Sequence, residues 1–224
     1  MKKLNLLIPI AIIIAGVFIA VAIVLVKSPS LSETASVEKL RSVTVRDHIL
    51  GNPNAQIKII EFSDTECPFC KQFQVTMHRI MDTYGKDGEV AWVYRQYPVE
   101  QIHPKALKES EATECAGELG GNAGFWAYLD KIFEVTPSND NLDPAELPKI
   151  ARTVGLETAA FESCLASGKY AARVAEDIQE ALAVGAQGTP WTIVVAANGK
   201  QYPLAGGQPY ASVKALIDIA LQEK

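Results

Sequence analysis

Apolar positions along this chain switch between two periods, and the switches mark its elements. Ile57-Lys58-Ile59-Ile60-Glu61-Phe62 alternates and is β-branched, which predicts a buried strand. From Lys71 to Met81 the period changes: Phe73, Met77, Ile80 and Met81 fall at helical spacing. Tyr84-Gly85-Lys86-Asp87-Gly88 stops that helix, and Glu89 to Tyr97 reads as a second strand. His103 to about Val184 is helical in pattern, with room for four or five helices and apolar faces such as Phe125, Leu129, Ile132 and Phe133. Asp143-Pro144-Ala145-Glu146 is a helix start, with Asp as cap and Pro in the first turn. Gly155 and Gly168 suit helix ends. Strand pattern returns at Trp191 to Ala196, Asn198-Gly199 makes a hairpin turn, and Gln201 to Leu204 pairs back. A last helix runs from about Tyr210 to Gln222, with Val213, Leu216, Ile217 and Leu221 on one face. Asp47 to Ala55 reads as turn chemistry leading into the first core strand. The order predicts a layered α/β domain interrupted by helices.

One segment fits neither period. Leu6 to Val26 is an unbroken uncharged run, matching the roughly 20 residues that cross a bilayer. Val26-Lys27-Ser28-Pro29-Ser30 offers no small-residue cleavage pattern, so the reading is an uncleaved anchor, against a cleaved signal peptide as the alternative. Lys2 and Lys3 would hold the N-terminus in the cytoplasm, with Lys27 opposing. The expected organisation is a transmembrane helix in 1–27, a Ser/Thr/Glu/Lys-rich linker in 28–46, and a domain in 47–224 with a helical insertion at about 103–185. The expected location is the cell membrane, single-pass, with the domain outside the cytoplasm, where disulfides persist.

Charge removes one class of function. Taking Lys2, Lys3 and Lys27 from 21 basic side chains leaves 18 against 26 acidic ones. No basic stripe appears and the aromatics are scattered, so nucleic acid is not an expected partner.

The candidate chemistry is Cys67-Pro68-Phe69-Cys70, at the join of the first strand and the first helix. Two cysteines at this spacing can close a small disulfide ring. A helix N-terminus favours thiolate over thiol, so Cys67 should be the more exposed sulfur with the lower pKa, and Cys70 the resolving partner. Pro68 fits a first turn, where its missing N–H costs nothing. The blander readings are an inert disulfide or half of a zinc site. Zinc wants four ligands, whereas Cys115 and Cys164 are isolated and the three histidines scattered.

Leu50 to Ala55, Glu61 to Cys70, Tyr94-Arg95-Gln96-Tyr97-Pro98-Val99 and Gly188-Thr189-Pro190 together resemble the DsbA family of thiol–disulfide oxidoreductases, over roughly residues 47–224. The resemblance implies a thioredoxin-like fold with an inserted helical subdomain. It implies that Glu61 is a buried acid exchanging protons with the inner cysteine; the alternative is a strand-edge Glu facing water. Thr189-Pro190 would be a cis-proline loop whose backbone pairs with extended substrate, against a trans proline opening a strand. Phe69 departs from the His of the best-known members, which bears on oxidising strength. Asp64 and Glu66 are expected on an exposed loop, and His78 on the exposed side of its helix. Trp126, Tyr128 and Phe133 are expected in the core of the helical block, or lining a groove.

Leu107, Cys115 and Leu119 share one face, and Phe161, Cys164 and Leu165 another. In an oxidising compartment Cys115 and Cys164 are expected to form a structural disulfide, as in some members of the family. Two buried free thiols and a second redox pair are the alternatives.

The resulting expectation is a monomeric dithiol oxidase acting on reduced exported proteins, reoxidised by a quinone-linked membrane partner, with no metal or organic cofactor. Reductase or isomerase activity, a non-catalytic chaperone or binding module, and metal delivery are the alternatives.

Overall fold

The computed structural model describes residues 40–223, so the expected anchor at 6–26 and most of the linker lie outside the described residues. Among the described residues no helix is long and apolar enough to cross a membrane. The chain runs β1 (His48–Gly51), β2 (Ile57–Ser63), α1 (Pro68–Ile80) with a π turn at Met81–Gly85, and β3 (Val90–Gln96). The helical block follows: α2 (Ala106–Val135), a 3-10 turn at Pro144–Glu146, α3 (Leu147–Thr153), α4 (Thr158–Ser167) and α5 (Ala171–Ala183). β4 (Trp191–Val195), β5 (Gln201–Ala205) and α6 (Tyr210–Ala220) complete the fold.

The strands form one sheet in the order β1-β3-β2-β4-β5. β2 and β3 are parallel, joined by α1 as crossover, and the other pairings are antiparallel. His48–Gly51, expected as turn, is an edge strand paired with β3 from His48 opposite Tyr94 to Gly51 opposite Ala91. The turn residues Asn52-Pro53-Asn54 begin only after it.

Period-2 alternation divides the sheet between two cores. Ile57, Ile59, Trp92, Tyr94 and Val194 face α1, α6 and the helical block, packing with Phe73, Met77, Ile80, Val213 and Ile217. Ile60, Phe62, Val93 and Ile193 face the other way, toward Ala181 and Val184, with Leu40 and Val43 packed on. Glu61 follows Ile57 and Ile59 on the α1 side, so the pleat alone directs its carboxyl beneath the cysteines.

Helix α2 is two helices joined at Gly121, whose φ of 64° and ψ of −162° suit glycine and few other residues. Its first half carries Cys115, bonded to Cys164 of α4 with 5.9 Å between Cα atoms. Its second half brings Trp126 against Trp92, with ring centroids 4.7 Å apart, so block and sheet share one core. Tyr128 and Phe133 are buried there too.

Before β1, Arg41 reaches into the domain. Its guanidinium pairs with Glu180 at 2.8 Å, Asp177 at 2.7 Å and Asp47 at 3.1 Å. Fully buried Arg95 meets Asp47 at 2.9 Å and Glu180 at 2.7 Å from the other side. The stretch read as linker is therefore docked at Arg41.

Candidate active site

Cys67 caps the N-terminus of α1 in extended geometry, and Pro68 occupies the first helical turn. Cys67 is 6 % exposed and Cys70, one turn deeper, is fully buried; both are free thiols. The pair is electrostatically unequal. A hydrogen bond from Cys70 is the largest influence on Cys67. With contributions from the Thr189 side chain and the Cys70 and Phe69 backbone, it outweighs burial and lowers the pKa to about 6, from an ordinary 9.0. Burial pushes Cys70 well upward, and the neighbouring Cys67 and Glu61 charges push the same way. Cys67 is thus the sulfur that bears charge near neutrality, and Cys70 keeps its proton.

Glu61 lies beneath them, with no solvent exposure. The water-facing alternative is therefore overturned. Trp92 Nε1–H donates to its Oε2 at 2.9 Å, while Oε1 has no partner among the described residues. Burial raises its pKa to about 7; the bond from Trp92 only partly compensates. A carboxyl that gains or loses its proton near neutrality thus sits beside a thiol that must lose one.

The third wall is the Thr189-Pro190 loop, whose peptide bond is cis. The Cys67 thiol donates to the Thr189 carbonyl at 3.4 Å. Phe69 is 61 % exposed and points out of the ring. Gly207, after β5, closes the far side: a Cβ there would stand 3.0 Å from the Phe69 carbonyl oxygen. The structure therefore gathers Cys67, Cys70, Pro68, Phe69, Glu61, Thr189 and Pro190 in one place. Cys115 and Cys164 form their bridge within the helical block.

Two expectations are corrected at this site. Asp64 and Glu66 are fully buried. Asp64 accepts from Val99 N and His103 Nδ1, each at 2.8 Å. Glu66 accepts from the Thr136 hydroxyl at 2.9 Å and from the N–H groups of Asn141 and Leu142 at 3.0 and 3.1 Å. Both serve as internal acceptors for strand exits and turns that arrive much later in the chain. His78 is only half-exposed: it pairs with Asp130 at 2.7 Å and sets its ring edge against Trp92.

This fold and this paired-sulfur site define a thioredoxin-fold protein with two cysteines at the start of its first helix. The chain belongs to the thioredoxin family, whose model, described as thioredoxin, matches residues 43–219. Its solved relatives are DsbA-like. Pseudomonas aeruginosa DsbA2 superposes with a TM-score of 0.70 at 25 % identity, over 82 % of this chain and 98 % of that one. Oxidised BdbD from Bacillus subtilis gives 0.69 at 22 % identity, over 80 % and 95 %, a likeness of fold. Among curated proteins, Na(+)/H(+) antiporter NhaA 3 of Salinispora tropica is 32 % identical over 157 residues, which are 70 % of this chain and 22 % of the antiporter. NhaA 1 of Mycolicibacterium gilvum is 30 % identical over 159 residues, 70 % of this chain and 24 % of that protein. The chain thus spans about a quarter of the length of these curated relatives.

Proposed function

We propose that this protein oxidises dithiols in exported polypeptides. The observation that carries the reading is the unequal pair: a Cys67 pKa of about 6 beside a Cys70 pushed far up. In the oxidised protein a client thiolate attacks Cys67 Sγ, forming a mixed disulfide and expelling the Cys70 thiolate. Glu61, half-protonated near pH 7, supplies the proton that Cys70 takes up. A second client thiolate then attacks the client sulfur of the mixed disulfide. The client leaves with a disulfide, and Cys67 departs as a stabilised thiolate. Two electrons and one proton reside in the reduced pair, with Cys67 charged and Cys70 neutral.

The low Cys67 pKa supports the direction of transfer. At pH 7 it stabilises the reduced state by about 1.4 kcal/mol over an ordinary thiol, or about 30 mV for this two-electron couple. A stabilised reduced form makes the disulfide a stronger oxidant. Client backbone pairing along Thr189, reoxidation by a quinone-linked membrane partner, anchorage through residues 6–26, monomeric state and independence of metals or organic cofactors complete the proposal. The DsbA-like resemblance supports the client and the reoxidising partner. The uncharged run supports the anchor and an extracytoplasmic domain.

Rapid alkylation of thiols in intact cells tests the direction. Cys67 and Cys70 are expected mainly as a disulfide; a mainly reduced pair would assign reductase or isomerase work instead. Cys67→Ser should abolish oxidation of a reduced peptide. Retention of undiminished client holding as the sole activity would identify a binding module.

A further inference from the structure

Glu66 directly precedes the attacked cysteine, yet the exchange chemistry leaves it without a role. Its contacts are arranged around one turn. Besides the three donors on its carboxylate, its own carbonyl accepts from Asn139 N at 2.7 Å. Lys71, on the first turn of α1, donates to the Thr136 carbonyl at 2.6 Å. The Thr136–Leu142 turn is thereby fastened on both sides of Cys67. It holds Ser138, Asn139 and Asp140 at φ of 66°, 57° and 63°, a conformation that non-glycine residues adopt in succession only when their surroundings enforce it. Pro137, Asn139 and Asn141 are its exposed residues.

Behind Glu66 stands a second carboxyl, Glu109 of α2, 2 % exposed. Thr65 donates its hydroxyl to Glu109 Oε2 at 2.6 Å, and the Glu109 carboxyl is hydrogen-bonded to Glu66. Two carboxyls in that contact must share a proton. Asp64 on the same loop and Tyr128 on the second half of α2 also face Glu109, and His103 reaches it only through Asp64.

We propose that Glu66 is a positioning residue that holds the Thr136–Leu142 turn as a wall of the cleft where an extended client polypeptide meets Cys67. The proposal rests on the oxidoreductase reading above and names a determinant of client binding within it. A small dithiol needs only the sulfurs; a polypeptide must also pass the turn. Gln in place of Glu66 would aim an NH2 group at donors that now meet an oxygen, loosening the turn without touching either sulfur.

The pH dependence has a defined sign. Burial, with the nearby Glu66 and Asp64 charges, raises the Glu109 pKa to about 8. Above that pH its proton is lost and three carboxylates face one another, so client binding weakens as pH rises. Glu109→Gln keeps a donor toward Glu66 at every pH and removes the trend.

The experiment compares dithiothreitol with a reduced cysteine-containing peptide for the wild type and three variants of the described domain together with its N-terminal segment. Glu66→Gln should raise KM for the peptide about tenfold while the dithiothreitol rate changes less than about twofold. Glu109→Gln should abolish the rise of peptide KM between pH 7 and 9. Pro137→Glu has an exposed side chain and no native N–H to lose, so it stays folded even if Glu66→Gln does not. It should shift preference between acidic and basic peptides by about threefold or more. Equal losses with both substrates, or peptide KM and preference unchanged across the variants, would overturn the proposal. Failure of the wild type to exchange with dithiothreitol would instead overturn the oxidoreductase reading.

Discussion

Glu61 ionises at a cost that the folded state bears and the unfolded chain does not. Its pKa is about 7 when folded, against 4.5 for an ordinary glutamate. The folded form therefore holds the proton more tightly, and stability falls as pH rises from the unfolded value through the folded one. The full penalty above pH 7 is about 3 kcal/mol. Glu61→Gln, which keeps an acceptor for Trp92, should unfold at higher urea than the wild type at pH 8 and at about equal urea at pH 4. The same variant should slow closure of the Cys67–Cys70 disulfide by about a hundredfold in stopped-flow measurements, because Cys70 loses its base. Phe69→His offers a second test. An imidazolium near the Cys67 thiolate should move the equilibrium with glutathione toward reduced protein by about tenfold; an unchanged constant removes residue 69 from the control of potential. The strand that carries Glu61 was readable from alternation, while the burial of its carboxyl came only from the family resemblance. The burial of Asp64 and Glu66 was not readable, because acids before a turn look solvated in a local window. Their partners stand 35 to 76 residues away, and no period spans that distance.

At the scale of elements, the helical block depends on its bridge. Cys115–Cys164 closes a loop of 49 residues between α2 and α4. In the chain-entropy model such a closure stabilises by about 4 kcal/mol. Replacing both cysteines by Ser should lower the urea-unfolding free energy by about that amount and leave the dithiothreitol reaction of the surviving fold intact; an unaltered midpoint would deny the bridge its structural role. The periods of α1, β2, β3, β4 and α6 were legible because each buries one face or is buried outright. β1 was not: four residues on a sheet edge make too short an alternation, and Asn52-Pro53-Asn54 beside it broadcasts a turn. The break in α2 was equally hidden: the helical pattern from His103 onward gave no place for it, and only the junction angles at Gly121 show where the axis turns.

For the whole molecule, the ion-pair cluster fastens the segment before β1 to the sheet and to α5. Arg41 is its half-exposed member and Arg95 its fully buried one, and between them they pair with Asp47, Asp177 and Glu180. Burial holds the pKa values of Asp177 and Glu180 up despite these partners, so their charges depend on the arginines remaining. A protein beginning at Asp47 should be less stable than one beginning at Leu40 by about 1–3 kcal/mol, measured by urea unfolding at pH 7. Arg41→Met in the longer form should reproduce most of the loss, and equal stabilities of all three would detach the segment from the domain. The Trp92 indole, meanwhile, touches the Glu61 carboxyl, which the proposed exchange would titrate, and lies tilted against Trp126. Ultraviolet emission from this pair of rings should therefore follow the proton beneath the sulfurs. Each passage of electrons would then leave an optical trace, readable in real time with no dye attached.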